Sequence, residues 1–168
     1  MNQTELLVAT LPAVAKLALV YAPASSREQT LALLALDTRL ASLIRRSKEP
    51  MLAQLRISWW REAISGDPDK WPEGEPILAS LRSWGVAPAS DSGLMDAWEA
   101  LTGPSPLAAE TLSAFARGRG QAAAALADVV GCPSERDAAR VLGEIWALED
   151  LSMRLGRDDE RTIALHLA

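Results

Sequence analysis

The segment Ser25–Arg46 constrains the fold more than any other part of this chain. Ser25-Ser26-Arg27-Glu28 reads as a capping box, in which a hydroxyl and a carboxylate each satisfy a backbone N–H at a helix start. Leu33, Leu36, Leu40, Leu43 and Ile44 then follow at helical spacing, which predicts a long helix with one buried face. Further helices are punctuated in the same way. Thr4 is placed to cap a first helix, and Pro12 either kinks it or starts a second one that ends near Tyr21. Pro50 opens a helix that runs to about Ser65 and stops at Gly66 in a left-handed cap. The polar stretch 66–76 is a loop, Pro76 begins a short helix ending at Gly85, and residues 86–93 form a second loop. A helix over 94–101 stops at Gly103. Ser105-Pro106 starts a longer one, which passes through Gly118 and Gly120 and ends near Gly131. Ser134 caps a helix from Glu135 to about Leu155, closed by Gly156. The charged run 157–161 reads as a solvated loop, and 162–168 as a short apolar tail.

Composition enters here because it excludes the alternatives. Of 168 residues, 30 are Ala and 26 are Leu, whereas Val, Ile, Tyr and Phe together number 15. Strong helix formers dominate and strand builders are scarce, so a β-sandwich or barrel is excluded and an all-α, antiparallel helical bundle is expected as a single domain over 1–168. The net charge of −5 lacks the basic footprint of a nucleic-acid binder. One cysteine, Cys132, and one histidine, His166, leave no internal disulfide and no His/Cys zinc site within one chain. The apolar stretch 6–24 has nearly the length of a bilayer span. Lys16 at its middle, Pro12 within it and Glu5 before it favour a buried or peripheral helix in a cytoplasmic protein, with contact at the inner membrane as the membrane-facing alternative.

The segment Pro23–Ala63 resembles the squalene/phytoene synthase family. That family's pattern has a Pro, then an Arg, then an apolar helix carrying a Tyr-Ala-Phe-like triplet. Pro23, Arg27 and Leu34-Ala35-Leu36 fall on it without a gap. Glu49-Pro50-Met51-Leu52, followed by Leu55 through Ala63 with its Trp59-Trp60 pair, is similar to a sub-branch of the family. A second stretch of likeness lies at Ala138–Asp158, through Leu142-Gly143 and Gly156-Arg157-Asp158. The resemblance covers somewhat over a third of the chain and implies at least part of an isoprenoid-synthase fold.

The family joins two prenyl diphosphates, using two aspartate-rich motifs on facing helices whose carboxylates hold Mg²⁺ against the departing diphosphate. In the gapless register the first motif falls on Ala41-Ser42-Leu43-Ile44-Arg45, with no carboxylate and one reversed charge. Asp37 lies one turn earlier. The second motif falls on Asp150 and Arg154, again with one reversal, and these two are spaced to pair with each other. Asp37, Glu149 and Asp150 are the weak metal candidates; Glu149 and Asp150, being adjacent, diverge around a helix.

The resemblance therefore implies a shortened pseudoenzyme needing no cofactor, with Arg45 and Arg154 able to grip a phosphate directly. Asp37, Arg45, Trp59, Trp60, Asp150 and Arg154 are the candidate cavity residues. Asp37 reads as a solvated residue or one paired with Arg39 or Arg45, and Trp59 and Trp60 as packing in the core and at its rim. Arg117 and Arg119 read as a solvated basic spot. Motif-lacking relatives assist assembly of a respiratory complex, so a prenyl lipid or a protein is the expected partner, and an exposed apolar face is expected to receive it. An active Mg²⁺-dependent prenyl transferase and a generic helical interaction module are the alternatives. The oligomeric state is left open.

Overall fold

The computed structural model describes residues 2–47, 49–84 and 93–168, and no strand occurs among them. The helices are α1 (Gln3–Thr10), α2 (Ala13–Tyr21), α3 (Arg27–Arg46), α4 (Pro50–Ser65), α5 (Pro76–Leu81), α6 (Gly93–Ala100), α7 (Ala109–Val129), α8 (Arg136–Ser152) and α9 (Asp158–Leu167). The expected helical bundle is thus observed. No described helix is long and apolar enough to cross a membrane, because Leu11-Pro12 divides the apolar stretch 6–24 into two short helices.

Neighbouring long helices run antiparallel, as their paired contacts show. Arg136 on α8 bonds Asp128 near the end of α7, while a Cβ on Gly120 would strike Glu144 further along α8. Likewise Gln54 on α4 reaches Thr102 just beyond α6, while Arg61 on α4 pairs with Glu99 and Asp96 on α6 at 2.7 and 2.5 Å. The core centres on Leu40, Ile57, Ile64, Leu78, Met95, Leu112 and Phe115, all essentially inaccessible. Burying each such side chain contributes about 1.5–3 kcal/mol. Three buried tryptophans add directed bonds: the indole N–H of Trp71 donates to the Ala63 carbonyl, that of Trp84 to the Gln29 carbonyl and that of Trp98 to the Asp37 carboxylate.

Helix α3 does not bury just one face. From Leu31 to Leu40 only Arg39 is exposed, because α1, α2, α4, α5, α6 and α7 all pack around this helix. A central helix must be apolar almost all round, and the Leu/Ala run 31–36 provides that.

The helix boundaries follow expectation more closely than the caps. The reciprocal capping box lies at the start of α1, where Asn2 accepts from the Glu5 N–H at 2.8 Å and Glu5 accepts from the Asn2 N–H at 2.9 Å; Thr4 sits inside the helix. No box forms at Ser25–Glu28. Ser26 takes the cap position of α3, but its hydroxyl donates back to the Pro23 carbonyl at 3.2 Å within a local turn. Gly66 is extended (φ −82°, ψ 179°), so its expected left-handed cap is absent. The left-handed glycine is Gly131 (φ 79°), where the Cys132 N–H reaches the Ala127 carbonyl and the Gly131 N–H reaches that of Asp128, a Schellman closure of α7. Ser134 caps nothing; it lies in a short 3₁₀ turn leading into α8. The expected stop at Gly85 and residues 86–92 of the loop expected over 86–93 lie outside the described residues, and Gly93 belongs to α6 instead.

The C-terminal segment departs most from its expected form. Residues 157–168 hold α9, not a loop and tail. Asp158, Asp159 and Glu160 occupy its first turn, where carboxylates favour the positive end of the helix dipole. The Arg157 guanidinium bonds Asp159 and holds its carboxyl below the usual range. Glu160 is buried and accepts from the Leu107 N–H at 2.7 Å and the Ser105 hydroxyl at 3.1 Å. These bonds keep 105–108 out of α7, which begins at Ala109 and not at Ser105. Glu160→Ala leaves the Leu107 N–H without its partner, so we expect a loss of about 1–3 kcal/mol. Urea denaturation reads that loss, and faster proteolysis within α9 accompanies it.

Candidate functional site

The second half of α3, the middle of α7, the second half of α8 and the α1–α2 corner enclose an open cavity of about 340 Å³. Asp37, Ala41 and Arg45 recur every four residues on α3 and line one wall; Asp150 of α8 and Arg154, just beyond its end, line the opposite one. Ala41, Arg45, Asp150 and Arg154, together with Asp37 one turn before the first motif's expected place, thus share one cavity. Ser42 does not line it, since its hydroxyl donates to the Arg39 carbonyl at 2.7 Å. Trp59 and Trp60 lie elsewhere on α4. Trp60 is in the core, Trp59 is 43% exposed, and the rings meet edge to face at 5.1 Å beside a separate shallow hollow with Arg39 and Leu43. Core-and-rim packing is therefore observed for this pair, and their place in the Asp37 cavity is corrected.

The cavity floor is built by a residue that was expected to be solvated. Arg119 of α7 has a side chain only 3% exposed, and it lies between the two carboxylates. Its Nη2 donates to Asp37 Oδ2 at 2.7 Å and its Nη1 contacts Asp150 Oδ2 at 3.4 Å. The Trp98 indole donates to the other Asp37 oxygen at 2.8 Å. The nearly buried guanidinium sits 4.2 Å from the centre of the Trp146 ring, a cation–π contact. Asp37 is accordingly buried and pairs with Arg119, not with Arg39 or Arg45. Arg117, two residues away, is exposed as expected.

Asp150 is shared. Arg154, one turn on, bonds its Oδ1 through Nη2 at 2.7 Å and Nε at 3.2 Å. Arg45 is exposed at the cavity mouth and has no hydrogen-bond or ion-pair partner among the described residues. The lining therefore carries three guanidiniums against two carboxylates, in a chain whose net charge is −5.

The metal candidates do not converge. Glu149 is exposed, turned about 100° from Asp150 around the helix, and does not line the cavity. Both oxygens of Asp37 and both of Asp150 already accept from Trp98, Arg119 or Arg154. No group of three or more His, Cys, Asp or Glu placed to hold a metal occurs among the described residues. Cys132 and His166 are exposed and do not line the cavity; a ring nitrogen of His166 lies 3.0 Å from the Thr162 carbonyl.

Arg119 was expected in solvent, and Trp98 and Trp146 were not among the expected site residues. Their signal was the pair of glycines around Arg119. Glycine inside a helix costs about 1 kcal/mol relative to alanine, so two of them in an Ala-rich helix mark close packing. A Cβ on Gly118 would overlap the Gly93 carbonyl of α6, and one on Gly120 would lie 2.7 Å from the Arg140 carbonyl of α8. The residue between two such approaches is pressed inward from both sides.

Comparisons with family models, with curated proteins and with solved structures return no match for this chain.

Proposed function

We propose that this chain is a non-catalytic relative of the squalene/phytoene synthases that binds a prenyl lipid. One observation carries the reading: a guanidinium, that of Arg119, lies between Asp37 and Asp150, the two carboxylates lining the cavity. A Mg²⁺ cage needs free carboxylate oxygens, and these are engaged by donors, so the residues present do not fit that ion. Arg45 and Arg154 suit an anionic head group at the mouth, held by charge-assisted bonds without metal. Leu11, Val14 and Leu34 offer an apolar wall for a tail. The volume lies at the lower end of the range usual for small-molecule sites. The family likeness extends the reading to a peripheral place at the cytoplasmic side of the inner membrane and to assistance in respiratory-complex assembly.

Farnesyl diphosphate titrated into the protein, followed by tryptophan fluorescence, tests this. Binding is expected to be the same with Mg²⁺ or EDTA, to weaken about tenfold or more in Arg45→Glu or Arg154→Glu, and to release no pyrophosphate. Mg²⁺-dependent pyrophosphate release would overturn it in favour of an active transferase. A helical interaction module is the second reading, favoured by the exposed stripe Met51, Leu52, Leu55 and Trp59 on α4. Absence of any diphosphate binding selects that reading.

A further inference from the structure

Helix α2 is apolar on the side that faces solvent. Only Ala15 and Leu19 of its nine residues are buried. The exposed arc carries Val14, Leu17, Val20 and Tyr21, the last two 70% and 80% exposed, and Lys16 at its edge is its one charge. A helix apolar all round is ordinarily buried, so this one lacks a covering phase. The same helix borders the cavity mouth through Ala13 and Val14, beside Arg45 and Arg154. An aliphatic arc, a terminal tyrosine and flanking cations match the layers of a bilayer surface: acyl boundary, headgroup level and anionic phosphate.

We propose that the outer face of α2 docks this chain on an anionic phospholipid membrane, with the cavity mouth turned to the lipid. It deepens the lipid-binding reading by naming the surface, and rests on that reading only for the role of Arg45. A chain of net charge −5 is repelled by an anionic bilayer as a whole, so preference for such a bilayer requires a local cationic face.

Flotation of the whole chain with vesicles tests the surface. One set is phosphatidylcholine alone, the other phosphatidylcholine and phosphatidylglycerol in equal parts. The protein is expected to float with the mixed vesicles and less with the neutral ones. Leu17→Asp lowers partition about tenfold or more. Arg45→Glu lowers it about fivefold or more on mixed vesicles and leaves the neutral ones unchanged. Both side chains are exposed, so circular dichroism and melting stay as in the parent. No flotation with either set, equal partition between them, or an unaltered Leu17→Asp variant overturns the proposal. So does a dimer in sedimentation equilibrium that Leu17→Asp dissolves, because a second copy then covers α2. Farnesyl diphosphate binding in vesicle-free buffer separates the two readings. Diphosphate binding without flotation overturns the docking surface alone, and flotation without diphosphate binding overturns the cavity reading alone while supporting the surface.

Discussion

Arg119→Ala is expected to destabilise the protein by about 3–5 kcal/mol, enough to unfold a marginal domain at ambient temperature. The guanidinium is nearly inaccessible and neutralises two carboxylates whose side chains are each 13% exposed. Truncation removes one charge and strands the other two. It also empties the volume packed against the Trp146 ring and beside Trp98 and Phe115. Urea denaturation measures the loss as a lower midpoint. Arg119→Lys should recover only a small part, because an ammonium cannot present two donors to carboxylates on different helices while lying flat on an indole. Arg119→Met combined with Asp37→Asn and Asp150→Asn should recover most of it, since removing all the charges together removes the desolvation problem. A single Arg119→Ala within about 1 kcal/mol of the parent would show that water reaches the pair and screens it.

The same residue shows where the fold was readable in the sequence and where the site was not. Boundaries of α3, α4 and α6 agree with expectation because prolines, glycines and leucine spacing act within a few residues of each boundary. Period-four spacing on one helix, a local property, put Asp37, Ala41 and Arg45 on one wall, whereas Asp150 and Arg154 opposite them were expected from the family resemblance alone. What pairs with Asp37 is not local. Its partner is 82 residues away, and an arginine in an alanine-rich helix carries no mark of its own burial. The solvated reading of 157–161 failed for a related reason. Three acids in a row suit both an exposed loop and a helix N-terminus, and only the distant Leu107 N–H and Ser105 hydroxyl decide that Glu160 turns inward.

Gly118→Leu is expected to be at least as damaging as the loss of Arg119, and Gly118→Ala to cost about 1–3 kcal/mol. The sign of the alanine change is the informative part. In an open helix, glycine to alanine gains about 0.5–1 kcal/mol. At Gly118 the added carbon overlaps the Gly93 carbonyl and lies 2.6 Å from the Ala97 Cβ, so backbone and not a flexible side chain must give way. Gly156→Ala supplies the contrast, because its Cβ meets nothing within 4 Å, and it should be neutral or slightly stabilising. Thermal denaturation of the three variants beside the parent checks the ordering. The consequence reaches the cavity. Moving α7 off α6 carries Arg119 away from Asp37 and Trp98, the latter on α6 itself, and pushes Gly120 towards α8, where Gly143 lies with its Cβ position 3.0 Å from the Gly120 Cα. Gly118→Ala should therefore alter ligand binding at the cavity under conditions where the protein remains folded, whereas Gly156→Ala should not. The two glycines around Arg119 set the spacing of three helices, and that spacing lets one guanidinium touch carboxylates from both sides.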